Sequence, residues 1–404
     1  MADLLLRDLA QVATPATAGP VARGADLRTV RVVEDAYVLC RGATIAAVGR
    51  MRDLAPIAGD VEELDCSGLC AVPGLVDCHT HPAFGGDRVA EFSLRAGGAS
   101  YEELHAAGGG ILSTVAATRA LSPADLSDRV ERNAAWMLAQ GTTTWEGKSG
   151  YGLDHDTELA SLRAVRSAGG SPTWLGAHSV PPEHADADAY LDFVLGDVLP
   201  EAAELADAAD VFLERGAFDA AQARRYLEAC AAAGLALRLH GDQFTESGAI
   251  PLAVELGARS LDHLEATGAH GARALGASDV TAVLLPASAL FLDRPMPPAR
   301  ALVDAGAAIA LATDFNPGSS FTTSLPLIAS LACTQLHLAP EEALVAMTVN
   351  AAHVIGAADR GRLAPGMRAD VTLLGAPDWR YLAYHLAGDL VSAGVRGGTT
   401  AYRR

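Results

Sequence analysis

Short apolar runs alternate with alanine-rich stretches of helical pattern along most of the chain, from residue 71 to residue 316. Two of the intervening stretches are PADLSDRVERNAAWMLAQ and AAQARRYLEACAAAG. Continuous apolar runs separated by helices are typical of parallel strands that are covered on both faces. The eight runs are AVPGLVDCHTH, GTTTWEGKSG, SPTWLGAHS, ADVFLERG, GLALRLHGD, RSLDHLE, VTAVLLPAS and AAIALATDFN.

This alternation predicts an α/β fold. Eight strands with helical spacers fit a parallel, TIM-like (β/α)8 barrel. An open, doubly wound sheet would give the same local pattern. The periodicity alone therefore leaves both architectures open.

Strand-like segments also occur near both ends of the chain. Residues 28–64 contain RTVRVV, AYVLC and TIAAVG, separated by turn residues, and GRLAPGMRADVTLLG near the C terminus has a strand pattern again. We therefore expect the two termini to form one small β-domain. Its parts are residues 1–69 and 362–404, beside a barrel of residues 70–361.

Charge and composition narrow the classes of partner. The 404 residues include 30 Lys and Arg against 49 Asp and Glu, a net charge of −19, which disfavours binding to nucleic acid phosphates. No apolar run approaches the roughly 20 residues of a membrane span, and the start MADLLLRDLA lacks a signal-peptide pattern. Six cysteines are too few for a disulfide scaffold. We expect a cytoplasmic protein. Because the chain is so acidic, an anionic small molecule would need a local arginine to bind.

Histidines and carboxylates gather at the predicted carboxyl ends of the strands, where parallel barrels carry their functional groups. The first run ends in His79 and His81, which share one side of a strand because they are two residues apart. His240 ends the fifth run and Asp314 the eighth. Singly, each has an ordinary explanation: a chance pair, a core histidine, a turn-capping aspartate. Together they predict a catalytic metal site. Other polar residues at strand ends are Glu146, Lys148, His178, Glu214 and His263.

These residues resemble the motifs of the metal-dependent amidohydrolases. Within that group, residues 70–395 are similar to the imidazolonepropionases of histidine degradation. The resemblance implies a metal-bearing barrel with a small β-sandwich from both termini, one Zn²⁺ or Fe²⁺/³⁺ per subunit, and a homodimer. The matching segments include VPGLVDCHTHPAFGGDRVAEFSLRAGGASYEELHAAGGGILSTV, GTTTWEGKSGYGLDHDTEL, LHGDQFTESG, LDHLE and ATDFNPGSS.

The resemblance also implies the reaction and the site residues. Imidazolonepropionases hydrolyse 4-imidazolone-5-propanoate, a cyclic amide that carries a carboxylate, to N-formimidoyl-L-glutamate. Gln243 departs from the family pattern, in which Glu is frequent, and cannot serve as an acid or base. The implied metal ligands are His79, His81, His240 and Asp314; the implied substrate contacts are Arg88, Tyr151, His178 and Gln243; the implied product contacts are Tyr151, Asn316, Gly318 and Ser319.

Each group has an expected chemical role. A bound metal lowers the pKa of water towards about 7, Asp314 moves its proton to the leaving ring nitrogen, and His263 steadies the developing oxyanion. His178 is expected to hydrogen-bond the ring carbonyl, and Arg88 to pair with the substrate carboxylate. The alternative for Arg88 is a surface salt bridge with Asp87 or Glu91. Glu214 is placed to bridge two metals. We nevertheless expect one metal, with Glu214 paired with Lys148 or a backbone group.

Two other functions remain open at this point. Another amidohydrolase would act on a related cyclic amide or deaminate a heterocycle, and a metal-free barrel would serve as a scaffold. Loss of activity on carboxylate-bearing substrates in Arg88→Ala would argue against the first alternative. Stoichiometric metal in the purified protein would argue against the second. The glycines Gly108, Gly109 and Gly110 predict a flexible turn before a helix near Ile111, as part of a lid over the site.

Overall fold

All eight apolar runs contain a strand in the computed structural model, which describes residues 3–98 and 109–404. Further strands lie at both ends of the described chain. In chain order, the strands are β1 (Asp3–Pro15), β2 (Val30–Arg41), β3 (Thr44–Arg50), β4 (Val61–Asp65), β5 (Cys70–Pro73), β6 (Leu75–Asp77), β7 (Thr142–Lys148), β8 (Ser171–Ala177), β9 (Ala208–Leu213), β10 (Ala236–Gly241), β11 (Ser260–His263), β12 (Thr281–Leu284), β13 (Ala308–Leu311), β14 (Val371–Leu374), β15 (Val391–Arg396) and β16 (Thr399–Arg403).

Strands β6 to β13 lie side by side in chain order and are parallel, which confirms the predicted barrel. The chain segments after β6 and β13 also meet. The N–H of Asp314 donates to the carbonyl of His79 over 3.1 Å, and Thr80 forms a parallel bridge with Phe315. A doubly wound sheet would reverse its strand order partway. The consecutive order and the near closure exclude that alternative.

The alanine-rich stretches form the helices around the barrel. The helix Pro123–Ala139 shows why they begin where they do: the Oγ of Ser122 accepts the N–H of Asp125, and Pro123 fits the first turn. Gly141 follows the helix with a φ of +91°, which glycine adopts readily. The described α-helices are α1 (Val89–Ala96), α2 (Ile111–Arg119), α3 (Pro123–Ala139), α4 (His155–Ser167), α5 (Ala187–Phe193), α6 (Leu199–Leu205), α7 (Ala220–Ala232), α8 (Ala249–Leu256), α9 (Ala269–Gly276), α10 (Pro286–Phe291), α11 (Ala299–Asp304), α12 (Leu325–Thr334), α13 (Pro340–Val345), α14 (Ala351–Val354) and α15 (Tyr381–Tyr384).

The two ends of the chain share a second sheet, as predicted, in the order β16-β15-β14-β5-β1-β2-β3 with β4 beside β1. Strand β1 was not assigned from the sequence. The segments RTVRVV and AYVLC, expected as two strands, form the single strand β2. Glu34 and Asp35 break the apolar pattern there, and Asp35 has a φ of +47°, so one irregular position inside a strand resembled a turn.

The chain crosses from one sheet to the other at Gly74. Strand β5 pairs with β1 and β14 in the terminal sheet, whereas β6 begins the barrel at Leu75. A Cβ at Gly74 would lie 2.1 Å from Oγ1 of Thr143, so the close approach of the sheets requires glycine here. The domain borders expected at residues 69/70 and 361/362 stay predictions.

Both sheets enclose buried side chains. The terminal sheet has an apolar core to which Leu6, Val38 and Leu373 belong. All six cysteines lie in the described part of the chain and are unpaired there. In residues 3–98 and 109–404, no helix has the length and apolar character that crossing a membrane requires.

Candidate active site

The four predicted metal ligands converge at the carboxyl end of the barrel. The Nε2 atoms of His79 and His81 lie 3.2 Å apart, and those of His81 and His240 lie 3.4 Å apart. Oδ1 of Asp314 lies 3.4 Å from Nε2 of His79 and 3.5 Å from Nε2 of His81. Every one of these residues is at most 3% exposed. The hydrogen bond between His79 and Asp314 continues the barrel beyond its strands and brings the two segments together.

These four separations match those expected between neighbouring ligands of a four-coordinate metal ion. Ligands at about 2.0–2.1 Å from such an ion lie about 3.4 Å from one another. On the other side of its ring, the buried Nδ1 of His81 has no hydrogen-bond partner among the described residues. A cation at Nε2 would therefore be the contact that fixes this ring. The residues present fit a metal ion.

Two carboxylates lie behind the histidines. Nδ1 of His79 donates to Asp262 over 2.6 Å, and Nδ1 of His240 donates to Asp210 over 2.9 Å. With the proton on Nδ1, each Nε2 keeps a lone pair that faces the cluster. Burial and the charge of Lys148 hold the pKa of His79 well below its ordinary value, and burial lowers that of His240. Both rings are therefore neutral, as metal ligation requires.

A buried lysine joins these carboxylates. Nζ of Lys148 lies 2.7 Å from Glu146, 2.8 Å from Asp210 and 3.8 Å from Asp262. All four side chains are 0% exposed. Glu146 in turn accepts the N–H of Thr80, which stands between the first two histidines, over 3.1 Å. The segments that carry the histidines are thus connected through one ammonium group.

Glu214 is engaged with the backbone, which is one of the two partners expected for it. Its carboxylate accepts the N–H groups of Arg215 and Phe244 over 2.8 Å each, and that of Thr245 over 3.2 Å. Lys148 pairs with other carboxylates instead. Because Glu214 is turned to these donors, it is not placed to bridge two metals.

His263 lies against the same cluster. Its ring centroid is 5.7 Å from that of His79 and 5.3 Å from that of His240. Although burial opposes it, the charge of Glu265, 3.4 Å away, raises the pKa of His263 above its ordinary value. Its φ is +85° and that of Asp314 is +53°, values that non-glycine residues rarely adopt and that concentrate at functional sites.

The cluster forms the floor of a pocket with two parts. The inner cavity, of about 80 Å³, is lined by the rings of Tyr151 and His178, whose centroids are 5.3 Å apart. The outer cavity, of about 440 Å³, extends to Arg88. The structure thus brings the expected substrate and product contacts to one pocket: Arg88, Tyr151, His178, Gln243, Asn316, Gly318 and Ser319.

The loop after β13 is organised by Asn316. Its Nδ2 donates to the carbonyl of Asp314 over 2.7 Å, and its Oδ1 accepts the N–H groups of Gly318 and Ser319 over 2.8 Å each. The Oγ of Ser319 donates to Oδ2 of Asp314 over 3.3 Å. The two carboxylate oxygens of Asp314 therefore have different surroundings, Oδ1 facing the histidines and Oδ2 facing Ser319.

Known proteins resemble this chain in both sequence and fold. A model of the amidohydrolase family matches residues 70–398. The imidazolonepropionase of Rubrobacter xylanophilus is 59% identical over 98% of this chain and 97% of its own length, and that of Deinococcus radiodurans is 45% identical over 97% and 98%. The chain belongs to the imidazolonepropionases of the amidohydrolase family.

Solved structures of two deaminases share the fold. An adenosine deaminase from Xanthomonas campestris with bound zinc has a TM-score of 0.71 at 19% identity, covering 99% of this chain and 92% of that one. A guanine deaminase from C. acetobutylicum with bound guanine has a TM-score of 0.71 at 13% identity, covering 99% and 100%. At these identities the likeness concerns the architecture alone. Membership of the imidazolonepropionases and the histidine–aspartate cluster together indicate a metal.

Sequence reasoning missed two residues of this imidazolonepropionase site, Asp210 and Asp262. Each is an acidic residue inside an apolar run. Because a buried carboxylate needs a polar partner, this position in the sequence could have indicated a role beside the histidines. Gly108 and the matching segment at residues 99–108 lie outside the described residues. Helix α2 does begin at Ile111, as expected.

Proposed function

We propose that this chain opens the ring of 4-imidazolone-5-propanoate to give N-formimidoyl-L-glutamate in histidine degradation. The metal ligands in this proposal are His79, His81, His240 and Asp314. One observation carries it: these donor atoms lie within 3.2–3.5 Å of their neighbours at the floor of a pocket whose outer part contains Arg88. The 59% identical imidazolonepropionase supports the choice of substrate.

The groups around the cluster divide the chemistry among them. When bound, a divalent cation acidifies a water molecule and polarises a carbonyl group. Although burial opposes it, contacts with His79 and His81 hold the pKa of Asp314 well below its ordinary value, so Asp314 is a carboxylate. Its Oδ2 takes a proton from the attacking water and delivers it to the ring nitrogen as the C–N bond breaks. His263 donates to the developing oxyanion.

The hydrogen bonds of His178 revise its expected role. Its Nδ1 donates to the carbonyl of Gly150 over 2.9 Å, and burial, with the neighbouring His81, holds its pKa well below the ordinary value. A neutral ring with its proton on Nδ1 can only accept at Nε2. His178 therefore accepts an N–H of the substrate ring instead of donating to the ring carbonyl. Burial raises the pKa of Tyr151, which stays a phenol that can donate.

The remaining features of the proposal are a single metal ion per subunit, Zn²⁺ or Fe²⁺/³⁺, and a homodimer in the cytoplasm. Metal analysis of the purified protein identifies the ion and its stoichiometry. Sedimentation analysis determines the oligomeric state.

The direct test is turnover of freshly generated 4-imidazolone-5-propanoate, followed in the ultraviolet as the ring opens. We expect turnover that disappears on removal of the metal with a chelator and returns on its addition. Arg88→Ala should raise KM for this substrate and leave a ring amide without a carboxylate unaffected. A metal-loaded protein that does not open this ring would overturn the proposal.

A further inference from the structure

Arg88 is clamped by a neighbouring carboxylate at the pocket. Its Nε donates to Oε2 of Glu91 over 2.7 Å and its Nη2 donates to Oε1 over 2.5 Å. The two side chains are 14% and 12% exposed, so the pair is largely shielded from water. This is the two-pronged geometry in which an arginine binds a carboxylate most specifically. One edge of the guanidinium is therefore already occupied.

The other edge, formed by Nη1 and Nη2, faces the loop of Gly318. A Cβ on Gly318 would lie 2.7 Å from Nη1, so the guanidinium rests directly on that backbone. Among the described residues, no carboxylate or carbonyl oxygen accepts a hydrogen bond from Nη1. Arg88 and Gly318 both line the outer cavity, so this edge lies at the wall of that cavity.

Glu91 is itself held in place from a second element. Its Oε2 accepts the N–H of Gly110 over 2.8 Å, directly before α2. Burial opposes it, but Arg88 and this N–H keep the pKa of Glu91 below its ordinary value, so it is a carboxylate. The side chain therefore joins α1, which carries it, to the start of α2. Its orientation does not depend on Arg88 alone.

We propose that Glu91 is a positioning residue that gives the pocket its preference for carboxylate-bearing substrates, by fixing Arg88 with its Nη1–Nη2 edge towards the substrate. The inference rests on the proposed function, in which Arg88 binds the propanoate group. Because Glu91 binds the Nε–Nη2 edge, it leaves Nη1 and the second N–H of Nη2 to the substrate, and so orients the guanidinium without competing for the substrate's binding position. An unclamped arginine would have to be ordered by the substrate itself, at a cost in affinity.

The opposite possibility, that Glu91 acts as a resident competitor, predicts the opposite sign. A competitor or a repelling charge would weaken carboxylate binding, so Glu91→Gln would tighten it. A positioning residue strengthens binding, so Glu91→Gln would weaken it. Glu91→Asp separates charge from geometry, because it keeps the charge but has too short a side chain to span both nitrogens.

The experiment uses the metal-loaded protein and makes four measurements: KM and kcat for the substrate, and the affinities for an acid and for the corresponding amide. For 4-imidazolone-5-propanoate, Glu91→Gln and Glu91→Asp should both raise KM, by about tenfold for Glu91→Gln, with little change in kcat. By calorimetry, both variants should bind imidazole-4-propanoate more weakly by a similar factor. Both should bind the neutral imidazole-4-propanamide as the wild type does. A merely structural role would not change the ratio of these two affinities.

Glu255→Gln is the matched control. Glu255 pairs with Arg224 over 2.9 and 2.6 Å on the outside of the barrel, so its loss should leave all four measurements unchanged. Unchanged or tighter carboxylate binding in Glu91→Gln would overturn the inference, as would a wild type that does not distinguish acid from amide. A wild type that fails to open the ring would overturn the proposed function, while the acid–amide comparison still decides the role of Glu91.

Discussion

The barrel sheet and the terminal sheet each contain eight described strands, yet they bury different chemistry. Inside the barrel, Glu146, Lys148 and Arg238 are at most 1% exposed and form ion pairs of 2.7 and 2.9 Å. The terminal sheet buries side chains such as Val38 and Leu373 in an apolar core. Desolvating an ion costs several kcal/mol, so buried charge is weak evidence for stability. The difference indicates that the barrel interior is built for the site at its rim.

The contrast also explains how the two sheets depend on each other. The terminal sheet contributes β5, and after Gly74 the chain continues into β6 and then to His79. The apolar sheet therefore supports the first barrel strand without adding a functional group of its own. We therefore expect mutations at the barrel rim to lower activity, and mutations in the terminal sheet to lower stability without lowering kcat.

The largest expected effect is at the rim of the barrel. Asp314→Asn should lower kcat by about a hundredfold to ten-thousandfold, because it removes the carboxylate that moves the proton. The metal content should fall as well, since Asp314 is a proposed ligand. Steady-state kinetics and metal analysis measure the two losses. A variant that keeps wild-type kcat would show that the rim does not carry the chemistry.

The next largest effect concerns the buried charges. Lys148→Met leaves Glu146, Asp210 and Asp262 without their shared cation, so we expect the free energy of unfolding to fall by about 3–5 kcal/mol. Urea unfolding at equal metal loading measures it. A loss below about 1 kcal/mol would mean that the three carboxylates do not depend on Lys148.

A truncation in the terminal sheet should destabilise without inactivating. Leu373→Ala removes a fully buried side chain from the apolar core, at a cost of about 2–5 kcal/mol. At a temperature where the variant remains folded, kcat should equal that of the wild type. A fall in kcat as large as that of Asp314→Asn would break the separation between the two sheets.

A smaller effect is expected behind the histidines. Asp262→Asn keeps an oxygen that can accept from Nδ1 of His79 but removes the charge, and we expect metal affinity to fall about 10-fold to 100-fold. Competition with a coloured chelator measures the dissociation constant. An unchanged constant would assign Asp262 to folding alone.

The smallest effect is in the terminal core. Burial raises the pKa values of Cys40 and Cys66, which belong to this core, to about 12 from an ordinary 9.0. Because the folded values are raised, the neutral thiols favour folding below pH 9, and this contribution is lost as the pH rises towards 12. At pH 8, iodoacetamide should label these cysteines only after unfolding, as mass spectrometry would show. Rapid labelling of the native protein would contradict the burial.

Local patterns determined the parts of the molecule that depend on neighbours in sequence. The alternation of apolar runs and helices gave all eight barrel strands, and the two-residue spacing placed His79 and His81 on one side. Strand β1 was missed because Arg7 and Asp8 interrupt its apolar pattern, at a position where the register shifts and Asp8 has a φ of +57°. The prediction of two strands in the range of β2 was wrong. At Asp35, a backbone irregularity within one strand has the same sequence pattern as a turn between two.

The sequence by itself determined which residues could serve as ligands and in which elements they lie. Only the tertiary structure decided that Asp262 receives the N–H of His79, 183 positions away, and that Lys148 joins the carboxylates. The physical reason is that periodicity reports which side of a strand or helix is buried. Which buried polar groups meet depends on the register and closure of the barrel, which bring distant segments within hydrogen-bonding distance.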